Sequence, residues 1–348
     1  MNRLIGDRTF RVARRVLWSV PARIVWGVGF SLGLGWLAIQ GLDWGEVAEA
    51  FQGFNVWYAV FALVFFNVAT VLRAYRWQVL FLEERVPLWR LFLVQNTGIG
   101  LNNLSPVRVV SEPAQFAMLT FRYRLPGGPA AATLGMERVL DMVASTALLA
   151  AALIFIPARG TLPLYLLVAF IIAAIAVALM VLISRAGQWS FVKRIDALKS
   201  FTAAVVQLGR ARGVLSYSLF LSILYWIAVG ICTWIVSLGM VELDISPLVA
   251  TLAILGTLYL TTSVPSLPMA VGTFELAIVY VLAEVFGADR AVTFSYAVII
   301  HAMLYLPPTM IAILVLFTIG LRPRRPPEES EAAVTIDPSA REGQENPR

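Results

Sequence analysis

The sequence has little of the chemistry from which most catalytic and metal sites are built. Its 348 residues include one cysteine, Cys232, and one histidine, His301. A disulfide within the chain and a thiolate metal cage are therefore excluded, and haem or zinc sites built on several imidazoles are disfavoured. The chain also lacks the G-x-x-x-x-G-K-[ST] motif of ATP-binding loops. We expect no bound cofactor and no built-in ATPase.

Charge is also scarce. Charged residues make up 14% of the chain and hydrophobic residues 59%, whereas soluble domains carry about 25% charged residues. The composition predicts an all-α polytopic membrane protein with a single membrane domain over residues 24–320. Residues 1–23 form a basic segment expected in the cytoplasm, before a retained first span. Residues 321–348 are rich in Pro, Glu and Ser and are expected to be a disordered cytoplasmic tail.

Six stretches approach the roughly 20 apolar residues that a membrane span requires. They are Ile24–Gln40, Trp57–Leu72, Ala130–Ile156, Leu164–Ile183, Val214–Leu238 and Thr293–Ile319. Two further regions, 89–122 and 247–286, are apolar but interrupted. The expected hairpin-breaking residues are Pro106, Pro113, Pro268 and Gly272. We interpret each region as a broken helical hairpin that enters and leaves on one side, although two short spans would satisfy the same topology.

Loop charge predicts the orientation. The predicted cytoplasmic loops hold most of the Lys and Arg, whereas the predicted outer segments hold only Arg159 and Arg290. The positive-inside rule therefore predicts that both termini lie in the cytoplasm of an inner-membrane protein. With this orientation, half-repeats 24–156 and 164–320 form an inverted-topology repeat, which is typical of transporters. The alternatives are a duplication without transport, or a symmetry created by the segmentation itself.

Five ionisable residues lie close together in this apolar sequence: Arg108, Glu112, Glu137, Arg138 and Asp141. A charge at bilayer depth costs at least about 2.5–3.5 kcal/mol, so such a cluster is a candidate functional site. Arg108 offers a planar fork of donors suited to phosphate, and Glu112 would neutralise it when no phosphate is bound. The alternative for Arg108 and Glu112 is a structural ion pair.

The other three charges have two readings. Glu137 or Asp141 would clamp the first hairpin through Arg108, with Arg138 and Asp141 close enough along a helix to pair. Alternatively, the three are charges at a helix start on the cytoplasmic interface. Arg73 and Arg76, at the inner end of the second predicted span, are expected to extend to lipid head groups.

The second hairpin supplies a further candidate, Glu275. Its carboxylate would line a cavity opposite Arg108, or it would belong to the first turn of a helix capped by Thr273. His301 would hydrogen-bond between helices or titrate near neutral pH. Residues 189–212 alternate apolar and basic residues, and they lie on the inner membrane face or form a cytoplasmic helix with a solvated basic face.

These motifs carry a family resemblance. Three of them in order, Pro106-x-Arg108-x-x-Ser111-Glu112, then Glu137-Arg138-x-x-Asp141, then a Pro/Gly-rich break before Glu275, resemble the lysylphosphatidylglycerol synthase transmembrane, or flippase-like, family. That family usually has Pro-Gly-Gly before the last glutamate and often arginine near Gln115 and at His301. These departures from the family pattern imply fewer basic contacts to a lipid head group here. The chain resembles the flipping part and not the aminoacyl-transferase part.

The sequence thus predicts a translocase for a lipid or polyprenyl-phosphate-linked head group. Its expected partner is an anionic or polyprenyl-phosphate lipid, with no nucleic acid. The expected substrate-binding residues are Arg108, Glu112, Glu137, Arg138, Asp141 and Glu275. One alternative is a non-transporting scaffold for a lipid-modifying enzyme or glycosyltransferase. Another is a lipid-active enzyme, which adjacency of His301 and Glu275 would favour, although no catalytic constellation is evident and no enzyme activity is expected.

Overall fold

A computed structural model of the chain describes residues 29, 32–105, 110–155, 162–186, 195–263 and 268–320. Within these ranges the chain forms twelve helices and no strand. The predictions for the basic N-terminal segment, for the tail, and for Pro106 and Arg108 lie outside the described residues.

The helices follow the predicted apolar stretches. In chain order they are α1 (32–39), α2 (Trp44–Gln52), α3 (Val56–Leu80), α4 (Leu88–Leu104), α5 (Ser111–Ala117), α6 (Gly127–Phe155), α7 (Leu162–Ala186), α8 (Asp196–Arg210), α9 (Arg212–Ser237), α10 (Pro247–Ser263), α11 (Thr273–Val279) and α12 (Arg290–Gly320). By length and composition, α3, α9 and α12 can each cross a membrane.

Both predicted breaks are present. The first separates α4 from α5, which continues into a π-helical turn, Met118–Arg122. The two legs lie against each other, since a Cβ atom on Gly98 would lie 2.5 Å from Gln115 Cγ. Pro113 lies in the first turn of α5, after the break, where the missing N–H has no helical partner to lose. Pro113 therefore stands inside the second leg rather than at the break.

The second break has the same form. After α10, a short 3₁₀ turn, Pro268–Ala270, leads through Gly272 into α11, which continues into a π-helical turn, Tyr280–Val285. Gly272 adopts a φ of 80°, a conformation that glycine reaches without steric cost. Both predicted hairpins thus have a 17-residue first leg and a 7-residue second leg.

The helices of the first half, α1–α6, recur in the same order as α7–α12. The corresponding helices α3 and α9 pack together and run antiparallel. At one end the Asn55 N–H donates to Gly239 O (2.9 Å), and towards the other Arg76 donates to Ser222 Oγ (2.6 Å). Two equivalent helices related in this way favour the predicted inverted topology, which remains a prediction.

Small residues permit the closest helix contacts, as expected where lipid supplies no hydrophobic drive between helices. A Cβ atom on Gly100 of α4 would overlap the Pro308 carbonyl and lie 2.5 Å from Ala312 Cβ of α12. A Cβ atom on Gly128 of α6 would overlap Ser200 of α8. These contacts hold α4 on α12 and α8 on α6.

Helix α8 covers most of residues 189–212, for which the sequence leaves two interpretations. Its apolar face is packed on the protein, with Val205 and Leu208 buried in a core shared with α6. Lys199 and Arg210 lie on the exposed face. The described part of the stretch therefore supports a helix with a solvated basic face, because protein rather than lipid covers its apolar side. Residues 189–194 lie outside the described part.

Candidate functional site

Four charged side chains from two helices meet inside the helix bundle. Arg73 and Arg76 lie on one face of α3, three residues apart, and Glu137 and Asp141 lie on one face of α6, four residues apart. Both spacings place the two side chains of a helix side by side. We call this group the Arg–carboxylate centre.

Arg76 is the core of the centre, and its side chain is 0% exposed. Its Nη2 donates to Glu137 Oε1 (2.9 Å), and its Nη1 donates to Asp141 Oδ1. Arg73 contacts the same acids, with Nε 3.3 Å from Glu137 Oε1 and Nη2 3.5 Å from Asp141 Oδ2. Each arginine therefore bridges both carboxylates.

Two further helices contribute polar groups to the centre. Gln95 of α4 donates from Nε2 to Glu137 Oε1 (2.7 Å), and Arg76 Nη1 donates to Ser222 Oγ of α9. The guanidinium of Arg73 also lies 5.4 Å from the centre of the Tyr225 ring, within cation–π range. The centre thus joins α3, α6 and α9 to the first leg of the broken hairpin.

The charges of the centre balance, with two cations and two anions. Removing an ion from water costs several kcal/mol even after relaxation, and this cost is offset only when pairing and hydrogen bonding are nearly complete. Here Glu137 Oε1 accepts from Arg73, Arg76 and Gln95. The four charges are therefore paired with one another, while Arg76 Nε and Gln95 Oε1 have no hydrogen-bond partner among the described residues.

The centre corrects two sequence expectations. Arg73 and Arg76 do not extend to head groups, because carboxylates on α6 lie within their reach. Glu137, Arg138 and Asp141 are not at a helix start, since α6 begins at Gly127. The predicted link of Glu137 to the first hairpin is present, but it reaches Gln95, whereas Arg108 lies outside the described residues.

A second contact joins the same hairpin to α6. Arg138 Nη2 lies 2.5 Å from Glu112 Oε1, and both side chains are partly exposed. The prediction that Arg138 pairs with Asp141 is therefore replaced by this pair, since Asp141 is held by the two arginines of α3. We call Glu112–Arg138 the first hairpin pair.

The second hairpin carries a corresponding buried contact, which we call the second hairpin pair. His301 Nδ1 lies 2.5 Å from Glu275 Oε1, and His301 Nε2 lies 2.7 Å from Met269 O. Glu275 Oε2 accepts from the Gly272 N–H (2.7 Å). The cap of α11 is therefore Gly272 with Glu275, and not Thr273 as expected, because only glycine reaches this backbone conformation easily.

The two broken segments approach each other. The first leg α4 contacts the turn Pro268–Ala270 at the tip of the second segment. Near its end, Asn103 Nδ2 donates to Thr309 Oγ1 of α12 (3.1 Å). The candidate site therefore comprises the Arg–carboxylate centre, the two hairpin pairs and the contact between the segments. Across the described ranges there is no cluster of three or more potential metal ligands.

The order of these parts agrees with one known family. Residues 24–312 match the family described as the lysylphosphatidylglycerol synthase TM region. The chain belongs to this family. No curated protein matches the chain. Membership of the lysylphosphatidylglycerol synthase TM region family, together with the apolar helices, identifies a membrane protein with a role connected to membrane lipids.

For this family member, sequence reasoning missed Arg73, Arg76, Gln95 and Ser222 as parts of the site. One signal could have found the arginines. One span has two arginines three residues apart, which form a positive face on its helix. A later span has two acids four residues apart, which form a negative face. Such complementary faces predict a helix pair.

Proposed function

We propose that this protein moves the phosphate-bearing head group of a membrane lipid from one leaflet to the other. One observation carries the proposal: a buried, charge-balanced Arg–carboxylate centre is bonded to a broken hairpin whose first leg contacts the tip of a second broken segment. Buried ionisable groups in membrane proteins commonly mark substrate pathways, and broken helices commonly line binding sites between inverted repeats.

In this proposal Arg108 binds the phosphate. In the sequence it falls between α4 and α5, four residues before Glu112. Glu137 and Asp141 hold the arginines of α3 and fix the first leg through Gln95. The two hairpin pairs hold the second legs, and Glu275 acts from the opposite side. The protein would work in the inner membrane with both termini in the cytoplasm, as an inverted repeat.

The test is a leaflet-exchange assay in proteoliposomes. Vesicles contain fluorescent phosphatidylglycerol, and a membrane-impermeant quencher reports the fraction of probe that reaches the outer leaflet with time. Wild type is expected to exchange the probe, and Arg108→Ala is expected to lose most of this activity. Arg185→Ala, at the exposed end of α7, is the matched control and should exchange normally. Equal exchange by wild type and Arg108→Ala would remove the role given to Arg108.

A lipid-active enzyme is the candidate that adjacent His301 and Glu275 would favour. A general base needs a ring nitrogen free to reach a substrate. Here both ring nitrogens of His301 have partners, Glu275 on one side and the Met269 carbonyl on the other. This occupancy counts against His301 as a general base. A scaffold role for the chain is tested separately, by loss of a co-purifying enzyme when residues 321–348 are deleted.

A further inference from the structure

The connections that follow the two π-helical turns share two backbone hydrogen bonds at matching positions. In the first, the N–H groups of Tyr123 and Leu125 donate to Met118 O and Leu119 O. In the second, the N–H groups of Phe286 and Ala288 donate to Val281 O and Leu282 O. Every residue of the second set lies 163 positions after its counterpart.

Backbone conformation follows the same shift. Arg124 has a φ of 57°, and Gly287, its counterpart, has a φ of 75°. The helices that follow, α6 and α12, begin at Gly127 and Arg290, again 163 positions apart. The two halves therefore share a residue register through this region, although few side chains are identical.

The shift of 163 positions also relates the two hairpin pairs. It carries Glu112 to Glu275 and Arg138 to His301. Each glutamate lies in the first turn of the second leg, and each basic residue lies in the next long helix. Both contacts measure 2.5 Å. Two halves that differ in most side chains thus keep one acid–base contact at the same place.

The two contacts differ in their access to solvent. The side chains of Arg138 and Glu112 are 36% and 44% exposed, whereas those of His301 and Glu275 are 7% and 10% exposed. The second pair is also enclosed by aromatic rings, with Phe274 stacked at 4.5 Å and Tyr305 edge-on at 4.4 Å from the His301 ring. One end of the repeat is therefore closed around its pair, and the other is open.

The partners of His301 define the proton on the second pair. The Met269 carbonyl can only accept, so Nε2 carries a hydrogen. One further proton then lies between Nδ1 and the Glu275 carboxyl group. With either location of that proton the pair is neutral overall, as is a glutamate–arginine pair. An arginine at this position could donate from its fork to both Glu275 and Met269 O.

We propose that the two hairpin pairs are equivalent positioning contacts, that His301 is the counterpart of Arg138, and that the two ends of the repeat close in alternation. In the conformation described here the Glu275–His301 end is closed and the Glu112–Arg138 end is open. This inference deepens the proposed transport function, because alternate closing exposes a site to one leaflet at a time. Its test measures accessibility and not transport, so the two can fail separately.

The test uses single-cysteine probes. Cys232 is the only cysteine of the chain and is buried, so Cys232→Ala provides a background without thiols. Thr273→Cys reports on the closed end, and Val110→Cys, 163 positions earlier, is the matched probe at the open end. Thr273 is buried and Val110 is partly exposed. The labelling rate with a small polar thiosulfonate reagent is measured in lipid nanodiscs.

In the unaltered background, Val110→Cys is expected to label faster than Thr273→Cys. Adding His301→Ala should raise labelling at Thr273→Cys by about tenfold or more, since it removes the buried contacts with Glu275 and with Met269 O. The same change should lower labelling at Val110→Cys, because the ends alternate. His301→Arg should restore both rates. These reciprocal changes distinguish alternation from simple loosening, which would raise both rates.

Three outcomes would overturn the inference. They are unchanged labelling at Thr273→Cys, increased labelling at both probes, and failure of His301→Arg to restore the rates of a folded variant. If His301→Ala does not yield a folded protein, His301→Gln replaces it, since its amide keeps one of the two hydrogen bonds. The control Cys232→Ala alone should show no labelling.

Discussion

The same position has opposite chemistry in the two halves of this protein. Helices α3 and α9 begin at Val56 and Arg212, 156 positions apart, so Arg76 corresponds to Cys232 when positions are counted from the helix starts. By the shift that relates the hairpin pairs, Glu137 corresponds to Ile300. In the first half these positions hold buried ions, and in the second half they lie in an apolar core.

This difference distinguishes the helix packing that the fold requires from the buried charges that the first half has in addition. The second half brings its corresponding helices together with apolar side chains alone at these positions. Replacing a buried ion group with well-packed apolar residues is often neutral or stabilising. The architecture therefore does not require an Arg–carboxylate centre, and its presence on one side only supports a functional role.

Removing one arginine from the Arg–carboxylate centre should have the largest effect on the free energy of unfolding. Arg76→Leu leaves Glu137 and Asp141 with Arg73 as the one remaining cation of the centre, and an unpaired buried charge costs about 3–5 kcal/mol. We expect this loss in the free energy of unfolding, measured by equilibrium unfolding in mixed micelles. The corresponding change in the other half, Cys232→Ala, should cost about 1 kcal/mol, as ordinary substitutions do. Similar losses for the two variants would contradict the comparison.

Replacing the whole centre should sharpen the comparison further. In this variant Met replaces Arg76 to fill its volume, and the other four side chains become the second-half residue at the same position counted from the start of the corresponding helix. Its changes are Arg73→Val, Arg76→Met, Gln95→Ile, Glu137→Ile and Asp141→Leu. Because no charge remains unpaired, unfolding should return to within about 2 kcal/mol of wild type. Exchange of fluorescent phosphatidylglycerol should be lost. A stable variant that still exchanges lipid would show that the centre is structural only.

The smaller effect on lipid exchange is expected at the link between the centre and the first hairpin. Gln95→Leu removes the hydrogen bond to Glu137 and leaves the four charges paired. A hydrogen bond to a charged group contributes about 1.5–3 kcal/mol, so we expect a loss in that range or below it. Lipid exchange should slow, because α4 is no longer fixed to the centre. Gln78→Leu, which removes a bond to a loop carbonyl, is the control, and exchange should be unchanged.

The sequence predicted the helices better than the contacts between them. Apolar length and the breaks near Pro106 and Gly272 marked the long helices and both broken segments, because these are local properties. The sequence alone misplaces Arg73 and Arg76, because arginines near the end of a span have a sound local explanation in contact with head groups. The true partners of Arg76 lie 61 and 65 residues later. Only the packing of α3 against α6 and α9 reveals them.

The hairpin pairs show the same limit. The sequence marks Glu112 and Arg138 as candidates, but it predicts that each pairs with a neighbour in sequence, whereas the structure pairs them with each other. The same number of residues separates Glu112 from Arg138 and Glu275 from His301. Each separation includes a turn between helices, so it shows no helical periodicity. A repeated spacing between unlike segments becomes visible only when the turns that fix it are known.

The long separation between Arg76 and its partners has a consequence for biogenesis. During synthesis α3 leaves the ribosome before Glu137, Asp141 and Ser222 exist, and Ser222 follows Arg76 by 146 residues. The nascent chain therefore carries two arginines whose neutralising acids arrive only with α6. Two arginines without their acids raise the free energy of α3 in lipid, and pairing with α6 removes that cost. Assembly of the first half is thus tied to the emergence of α6, and completion of the centre to that of α9.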